Sequence, residues 1–271
     1  MTARPAQLRP EIAARFREEE VVAAYRHRPL YPPETFTILT SLITDPPPHA
    51  VLDVGCGSGN VARPLAPRVD RLDALDISPA MIAAGKMLPG GDYPHLHWLL
   101  GRTEDAPLHP PYALITAGAS LHWMEWAVVM PRFAELLTPN GFLAVVHVSL
   151  QALPWRDALR ELDARYTTIP EHQEYHLRDE LTARGLFDFA GERETAPVSW
   201  SQPVDDYIEA QHSHSRMTRA AMGAAAADAY DAALRALLAP YAVNGALALA
   251  IIGRVWWGRP HAPAPIPVRS A

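Results

Sequence analysis

The chain has 271 residues, of which 49% are hydrophobic and 20% are charged, and its formal net charge is -6. This acidic balance, with no long basic run, argues against a surface that binds nucleic acid through clustered Lys and Arg. The single cysteine, Cys56, excludes an internal disulfide and any metal site that needs several cysteines.

The chain carries no export or membrane signal that the sequence makes visible. Its N-terminal stretch, MTARPAQLRPEIAARFREEE, is charged and lacks the apolar core of a signal peptide. The longest apolar stretch, AVNGALALAIIG, is too short and too interrupted by glycine to span a bilayer. We therefore expect a cytoplasmic protein with no membrane partner.

Helices and short buried strands are predicted to alternate in the first half of the chain. The helices, in order, are EIAARFREEEVVAAY, PETFTILTSLI, NVARPLAPRV, SPAMIAAGKML with Ser78 as N-cap, and EWAVVMPRFAELL. The strands are AVLDV, RLDALDI, LHWLLG, YALITAG and, after a TPNG turn, FLAVVHVSL. Such alternation indicates parallel crossover units, so the five strands before Leu150 predict a doubly wound α/β sheet.

After Leu150 the predicted elements are mostly helical. The helices are WRDALRELDARY, EHQEYHLRDELTARGLF, PVDDYIEAQHSHSRM and AAMGAAAADAYDAALRALLAPY, and the strand candidates are ERETAPVSW and ALALAIIGRVWWG. We predict a mostly parallel seven-stranded sheet whose last two strands are interleaved with helical cap insertions. The predicted division is 1–45 for N-terminal helices in the cap, 46–150 for the core, 151–258 for the final strands with the insertions, and 259–271 for a flexible tail.

Three glycines follow the first predicted strand in VLDVGCGSGN. Gly55, Gly57 and Gly59 permit positive φ and let a ligand approach the backbone closely. The G-x-G-x-x-G pattern of dinucleotide-binding folds would need glycine at Asn60, and no Gly-Lys-Ser/Thr of a P-loop follows. The turn is therefore predicted to hold a ligand other than a dinucleotide or a nucleoside triphosphate.

Acidic residues follow the next two predicted strands. Asp76, at the end of ALD, is positioned to accept hydrogen bonds from two ribose hydroxyls and disfavours a phosphorylated ribose. GRTEDAPL, after the third strand, places polar side chains where an adenine can lie. Open α/β sheets bind ligands at the carboxyl ends of their strands, so these features predict one nucleoside site.

In this order the motifs resemble those of the class I S-adenosylmethionine-dependent methyltransferases. VLDVGCGSGN is similar to their first motif, ALDISPAMI to the second, GRTEDAPL to the adenine loop and TPNGFLAVV to the turn and strand that follow. YRHRPLYPP and AGASLHWMEW resemble a small-molecule subgroup that includes trans-aconitate methyltransferase-like enzymes. The resemblance covers roughly residues 20–150. It implies a Rossmann-like fold, S-adenosyl-L-methionine as cofactor and residues 46–150 as the core that binds it.

The resemblance also implies which residues contact the cofactor. They are Asp53, Gly55, Gly57 and Gly59 around the methionine part; Asp76 at the ribose; Ile77, Thr103 and Glu104 at the adenine; Ala117 and Gly118 near the sulfonium; and Tyr25, Arg28 and Tyr31 over the cofactor carboxylate.

Methyl transfer from a sulfonium is an in-line displacement, for which a protein mainly aligns the nucleophile and excludes water. A base is needed only if the nucleophile loses a proton. His122, which follows the fourth strand, is the candidate catalytic base; the alternative is a hydrogen-bonded wall of the pocket or a cofactor contact.

Two pairs of histidines are further candidate sites. His172 and His176 stand four apart on a predicted helix, but Gln173 replaces the glutamate of the metalloprotease pattern and no third ligand is evident, so no metal is expected. The histidines of HSHS, His212 and His214, are two apart and point to different faces, and one of them can touch substrate.

We predict methyl transfer from S-adenosylmethionine to a small-molecule metabolite of a biosynthetic pathway, with the helical cap selecting the substrate. Two alternatives stay open: a cyclase or isomerase that keeps the cofactor without methyl transfer, and a non-catalytic cofactor-binding module. A nucleic-acid substrate is not expected, because AGASLHW stands where the Asn/Asp-Pro-Pro-Tyr/Phe motif would follow the fourth strand. The sequence leaves the methylated atom and the oligomeric state open.

Overall fold

A central β-sheet organises the chain in the computed structural model, which describes residues 8–169 and 176–262. The strands are β1 Ala50–Val54, β2 Arg71–Asp76, β3 Leu96–Leu100, β4 Tyr112–Gly118, β5 Leu137–Gln151, β6 Phe187–Glu194, β7 Val198–Pro203, β8 Ala242–Val243 and β9 Ala246–Pro260. Within the described ranges they form one nine-stranded sheet, in which the continuous order is β3-β2-β1-β4-β5-β9-β6.

The seven strands of that continuous order confirm the predicted doubly wound sheet. The first five pair in parallel, and β9 inserts antiparallel between β5 and β6. β7 and β8 are additions outside that order, since both pair with the first part of β9, whereas β6 pairs with its last part. β9 can carry these partners because it is 15 residues long.

The prediction of one strand in ERETAPVSW is wrong, because this segment contributes to two strands. β6 ends at Glu194 and β7 begins at Val198. Between them Thr195 bonds to Gly253 of β9 with its main-chain N–H, at 2.9 Å, while its hydroxyl accepts the N–H of Gly253 at 3.0 Å. The hydroxyl of Thr195 thus accepts a hydrogen bond that a main-chain carbonyl would accept in a regular sheet. Pro197 has no N–H, so it cannot donate a main-chain hydrogen bond to continue the strand.

Eleven α-helices cover the sheet and build the cap in the described part of the chain. They are α1 Pro10–Ala13, α2 Glu19–Tyr25, α3 Pro33–Ser41, α4 Ala62–Leu65, α5 Pro79–Met87, α6 Trp126–Leu136, α7 Arg156–Tyr166, α8 Leu177–Ala183, α9 Val204–His212, α10 Arg219–Met222 and α11 Ala224–Leu238. Short 3-10 helices occupy Ala14–Arg17, Ala66–Arg68, Leu121–Trp123 and Ala239–Tyr241. Ser78 caps α5 as predicted, because its side chain accepts the N–H of Met81 at 3.3 Å.

The single helix predicted for EIAARFREEEVVAAY is interrupted. Glu18 is extended, with ψ 133, and separates the first 3-10 helix from α2. Arg15, before the break, donates to the hydroxyl of Thr168 at 2.7 Å and to the carbonyl of Ser215 at 2.5 Å. These contacts with distant segments hold the first part of the chain in a direction that a continuous helix would not follow.

Two further predicted elements also differ in detail. The TPNG turn is an irregularity inside β5, since Tyr112 of β4 pairs with Leu137 and Leu114 pairs with Phe142, which leaves residues 138–141 as a bulge. The long alanine-rich helix divides into α10 and α11 at Gly223, whose φ is 80. Positive φ is accessible to glycine and ends a helix readily.

Apolar clusters lie on both faces of the sheet. Successive residues of a strand point to opposite faces, so Leu52 of β1 joins a cluster with Phe133 of α6, whereas Val51 joins another with Leu39 of α3. α3 therefore packs against the sheet. The pairing of β9 continues past residue 258, since Pro260 pairs with Phe187.

The second half of the chain builds a cap with its own apolar core. Trp155, Tyr207, Tyr230 and Leu234, from α7, α9 and α11 or their ends, pack together there. This agrees with the predicted helical insertions, while the domain division itself stays a prediction. Residues 263–271 of the predicted tail, and residues 171–175 of the predicted EHQEYH helix, lie outside the described residues. Among the helices that are described, none is long and apolar enough to cross a bilayer.

Phe133→Ala is expected to lower the free energy of unfolding by about 3 to 5 kcal/mol, because it leaves a cavity in the sheet–α6 core. Phe133 is fully buried. Urea denaturation measures the change, with the exposed neighbour Glu135→Ala as the matched control. Similar losses in both variants would contradict the packing described for α6.

Candidate functional site

The glycine turn after β1 has the backbone that the sequence predicted. Gly55, Gly57 and Gly59 have φ values of 61, 55 and 79, a region that side chains with a Cβ rarely adopt. A Cβ on Gly55 would also lie 2.5 Å from the Cβ of Ser120, so that contact forbids any larger residue. The turn brings bare backbone to the carboxyl ends of β1 and β4.

Asp76 ties this turn to the end of β2. One carboxylate oxygen accepts the N–H of Gly57 at 2.7 Å, and the other accepts the N–H of Ser78 at 2.7 Å. Burial raises the pKa of Asp76, although the N–H groups of Ser78 and Gly57 act in the opposite direction. Each carboxylate oxygen has a second lone pair, so Asp76 can still accept hydrogen bonds from a ligand.

Asp53, near the end of β1, is the second buried carboxyl group of the site. It is 1% exposed, and its Oδ1 accepts the hydroxyl hydrogen of Thr116 at 2.8 Å. Its Oδ2 is buried and has no hydrogen-bond partner among the described residues. Burial raises the pKa of Asp53 to about 7, with Asp76 contributing and Thr116 opposing. A buried acceptor of this kind suits a cationic donor.

A cavity of about 430 Å³ adjoins Asp53 and the glycine turn. Its walls come from the ends of β1, β4 and β5, from the segment after α2, and from the cap helices α7 and α9. Six of the predicted cofactor residues line it, namely Tyr25, Arg28, Tyr31, Asp53, Gly55 and Gly118. The other predicted residues are not part of this wall, and they are Gly57, Gly59, Asp76, Ile77, Thr103, Glu104, Ala117 and His122.

The N-terminal segment closes one side of the cavity and is fastened to the cap. The guanidinium of Arg28 stacks on the ring of Tyr25 at 4.3 Å and donates to the hydroxyl and the carbonyl of Ser213, each at 2.7 Å. Tyr31 reaches the end of β4, where a Cβ on Gly118 would lie 3.0 Å from its hydroxyl. Burial, with Tyr25 and Asp53 nearby, raises the pKa of Tyr31, so its phenol stays protonated.

The residues predicted at the adenine lie in a loop that is held to α6. Thr103 is buried, and Glu104 accepts the N–H of Glu125 at 3.1 Å with its side chain. Arg132 of α6 donates to the carbonyl of Glu104 at 3.2 Å. Ile77 is 43% exposed, which leaves its side chain available to a ligand.

Residues 51–141 match the family described as a methyltransferase domain. An uncharacterized methyltransferase of Mycobacterium tuberculosis is 30% identical over 199 residues, which are 67% of this chain and 78% of the relative. The chain belongs to the class I S-adenosylmethionine-dependent methyltransferases. Its predicted family, fold class and enzymatic nature are thereby confirmed, and its cofactor is S-adenosyl-L-methionine.

Other comparisons of the methyltransferase agree. The trans-aconitate 2-methyltransferase of an Acidovorax strain is 35% identical over 130 residues, 46% of this chain and 48% of the relative. A protein structure from Anaeromyxobacter dehalogenans, provisionally named a type II methyltransferase, has a TM-score of 0.60 at 24% identity and covers 86% of this chain and 99% of its own. A methyltransferase from Geobacter sulfurreducens, in complex with S-adenosyl-L-homocysteine, has a TM-score of 0.50 at 18% identity, with 93% and 99% covered. These structures share the fold.

The residues of this methyltransferase fit its cofactor. The unpartnered Oδ2 of Asp53 and the three glycines of positive φ lie together at the carboxyl end of β1. An ammonium group would give the Oδ2 atom of Asp53 a charged donor, and bare backbone at the turn leaves room for the ligand.

The methyltransferase has a second, more open cavity of about 960 Å³, which is lined by residues of β5, β6, β9 and α8. His122 lies there and not on the first cavity, with its ring 5.0 Å from that of Trp123. His147 of β5 is among the residues that line both cavities. The sequence did not predict it as a site residue. The only sequence signal was a polar residue near the end of the apolar run FLAVVHVSL.

The cap also supplies cavity residues that the sequence did not assign. Arg156, Arg160 and Arg216 line the first cavity, together with His214. Burial, followed by Arg28 and Arg216, lowers the pKa of His214 to about 3, so its ring is uncharged at neutral pH.

The two HSHS histidines do face different surroundings. His212 is buried in the cap between the carbonyl of Met217 and the carboxylate of Asp231, each at 2.7 Å, whereas His214 lines the cavity. His172 lies outside the described residues. Among the residues that are described, no group of three or more His, Cys, Asp or Glu side chains could hold a metal ion.

Asp53→Asn is expected to stabilise the cofactor-free methyltransferase more at about pH 8 than at about pH 5. The carboxyl group has a pKa near 7 in the folded protein and 3.8 ordinarily. The folded protein therefore loses stability as the pH rises from about 4 to about 7, a loss that the uncharged asparagine avoids. Urea denaturation is expected to show an advantage of the variant that grows by about 2 kcal/mol between the two pH values. The exposed Asp92→Asn is the control, and equal pH dependence in both variants would contradict the expectation.

Proposed function

We propose that this methyltransferase transfers the methyl group of S-adenosylmethionine to an anionic small molecule in the 430 Å³ cavity. One observation carries the proposal. The cavity that adjoins the unpartnered carboxyl oxygen of Asp53 is lined by four arginines and only two aspartates. A cationic cofactor group and an anionic substrate can therefore be held side by side.

The cofactor is proposed to lie across the carboxyl ends of β1, β2 and β4. Its methionine part would contact Asp53, Gly55, Gly57 and Gly59, and its carboxylate would lie under Tyr25, Arg28 and Tyr31. Its ribose would bind Asp76, and its adenine would contact Ile77, Thr103 and Glu104. Its sulfonium would lie near Ala117 and Gly118. The free lone pairs of Asp76 and the missing partner of Asp53 support this placement. When bound, the cofactor supplies an activated methyl group that a nucleophile displaces in line.

The charges of the cavity support an anionic substrate. Its arginines are Arg28, Arg156, Arg160 and Arg216, and its aspartates are Asp53 and Asp163. Asp163 already accepts hydrogen bonds from Arg216 and from the hydroxyl of Tyr230, each at 2.8 Å. Arg156 and Arg160 stand four residues apart on one face of α7, where a carboxylate can bind both. The relatives named trans-aconitate 2-methyltransferase act on an organic acid, which supports this class.

The cap is proposed to select the substrate and to exclude water. Its helices α7 and α9 form the outer wall of the cavity, and the contact of Arg28 with Ser213 joins that wall to the N-terminal segment. A closed cavity strengthens electrostatic contacts and protects the reacting groups. The predicted role of His122 as a base requires that the substrate extend into the second cavity, which His122 lines.

Asp76→Ala is expected to weaken the binding of S-adenosylhomocysteine by at least about tenfold, because a ribose acceptor and the anchor of the glycine turn are both lost. Isothermal titration calorimetry measures the affinity, and Asp105→Ala, an exposed acid near the proposed adenine residues, is the control. Unchanged affinity in Asp76→Ala would refute the proposed cofactor position.

Mass spectrometry of acceptors incubated with labelled cofactor separates methyl transfer from the cyclase, isomerase and binding-module alternatives.

Citrate serves as an anionic probe of the substrate region. The double variant Arg156→Gln/Arg160→Gln is expected to bind citrate about tenfold more weakly than the wild type when both are saturated with S-adenosylhomocysteine. Arg165→Gln is the matched control, because Arg165 lies exposed on the same helix and is not part of the cavity wall. Equal citrate affinity in the double variant and the wild type would count against an anionic substrate held by α7.

A further inference from the structure

We propose that residues 15–31, here called the strap, form a gate over the cofactor site and that hydrogen bonds to the cap keep this gate shut. The role rests on the proposed function, because it requires the cofactor at the carboxyl ends of β1, β2 and β4. It deepens that function, since a cofactor under the strap is exchanged only when strap and cap separate. A substrate bound against the cap then keeps the cofactor in place.

The residues proposed to bind the ribose and the adenine are covered in this structure. Asp76 is 9% exposed and Thr103 is 6% exposed. Neither residue is part of the wall of the first or the second cavity. A ribose hydroxyl can bond to the carboxylate of Asp76 only if it can reach that carboxylate, so a segment that covers it has to move before the nucleoside enters.

The strap begins beside these covered residues. The ring of Phe16 meets that of Trp123, which follows β4, edge to face at 5.4 Å. Arg17 lies near enough to Asp76 to act on its charge. Burial raises the pKa of Asp76, and the guanidinium of Arg17 is among the groups that lower it. The first residues of the strap therefore cover the nucleoside end of the proposed cofactor site.

The strap ends over the methionine part of the proposed site. Cε1 of Tyr25 is 3.9 Å from the position that a Cβ on Gly57 would take, so the ring lies against the bare backbone of the glycine turn. The hydroxyl of Tyr31 is 3.0 Å from the corresponding position on Gly118, at the end of β4. From one end to the other, the strap follows the path proposed for the cofactor.

Hydrogen bonds between distant parts of the chain fasten the strap to the cap. Arg15 donates to the hydroxyl of Thr168 at 2.7 Å and to the carbonyl of Ser215 at 2.5 Å. The carboxylate of Glu20 accepts the main-chain N–H of Ala220, near the start of α10, at 2.8 Å. These three hydrogen bonds are called the latch.

The contacts of the strap differ in kind on its two sides. Toward the cofactor positions, Phe16 and Tyr25 make ring contacts that need no particular donor or acceptor. Toward the cap lie the latch and the two hydrogen bonds from Arg28 to Ser213, each of which has a defined geometry. The strap can therefore leave the cofactor positions without breaking a hydrogen bond to them, but it cannot leave the cap in this way.

The latch also connects the gate to the substrate region. Thr168 and Ser215 follow α7 and α9, the cap helices that form the outer wall of the first cavity. Tyr25 and Arg28 of the strap line the same cavity. A ligand in that cavity contacts strap and cap at once and favours the state in which the latch is closed. The cofactor therefore binds before the substrate and leaves after the product.

The rate constants of S-adenosylhomocysteine binding, measured by surface plasmon resonance, test the gate without a known substrate. In Arg15→Ala/Glu20→Ala, the association and dissociation rate constants are both expected to rise about tenfold, because the latch no longer opposes opening. The dissociation constant is expected to be unchanged, since the proposed latch is closed both before and after binding. Glu19→Ala, an exposed residue of the same helix, is the matched control.

A merely structural role of these residues gives a different result. An affinity that falls while the association rate constant stays the same, or two unchanged rate constants, would overturn the gate and leave the proposed function intact. Failure of the wild type to bind S-adenosylhomocysteine would overturn both. If the double variant does not fold, Thr168→Val takes its place, because it removes one acceptor of Arg15 and keeps the shape of the side chain.

Citrate tests the link between the substrate region and the gate. With citrate at a saturating concentration, the wild type is expected to release S-adenosylhomocysteine about tenfold more slowly, because a ligand against the cap holds the latch closed. The double variant of Arg15 and Glu20 is expected to lose most of this slowing. Equal release from the wild type with and without bound citrate would overturn the link.

Discussion

The hydrogen bonds from Gly57 and Ser78 to the carboxylate of Asp76 are the contacts on which the proposed cofactor site depends. They hold the ends of β1 and β2 together at the edge where ligands of open α/β sheets bind. Because the carboxylate accepts main-chain N–H groups, it shapes the glycine turn before any ligand arrives. Asp53 and the end of β4 lie beside the turn because β1 pairs with β4.

The proposed substrate region is built differently, from segments far apart in the chain. Arg28 comes from the N-terminal segment and Ser213 from the cap, and their hydrogen bonds join the two over the ends of β1 and β4. The cap can do this because α7, α9 and α11 bury a core of their own. A rigid cap on a fixed sheet is a physical basis for a family in which one cofactor serves many substrates.

Local sequence patterns predicted the structure correctly where the conformation depends on neighbouring residues. Ser78 as a helix cap, the glycines with positive φ and the strand periodicity all reflect short-range rules, and the structure agrees with them. Predictions failed where long-range contacts decide. Arg15 bonds to Thr168 and Ser215 and interrupts a helix that its own sequence favours, and Thr195 divides a predicted strand by bonding to Gly253.

The sequence by itself determined the doubly wound sheet, the family and the cofactor, because each motif is a short run of residues that can be recognised along the chain. Only the tertiary structure decided that His147 borders both cavities while His122 borders one, and that arginines of α7 meet Asp53 across the same space. These relations depend on how separate elements pack, and no spacing along the chain encodes them. The side of a strand that becomes a cavity wall is set by what packs against it.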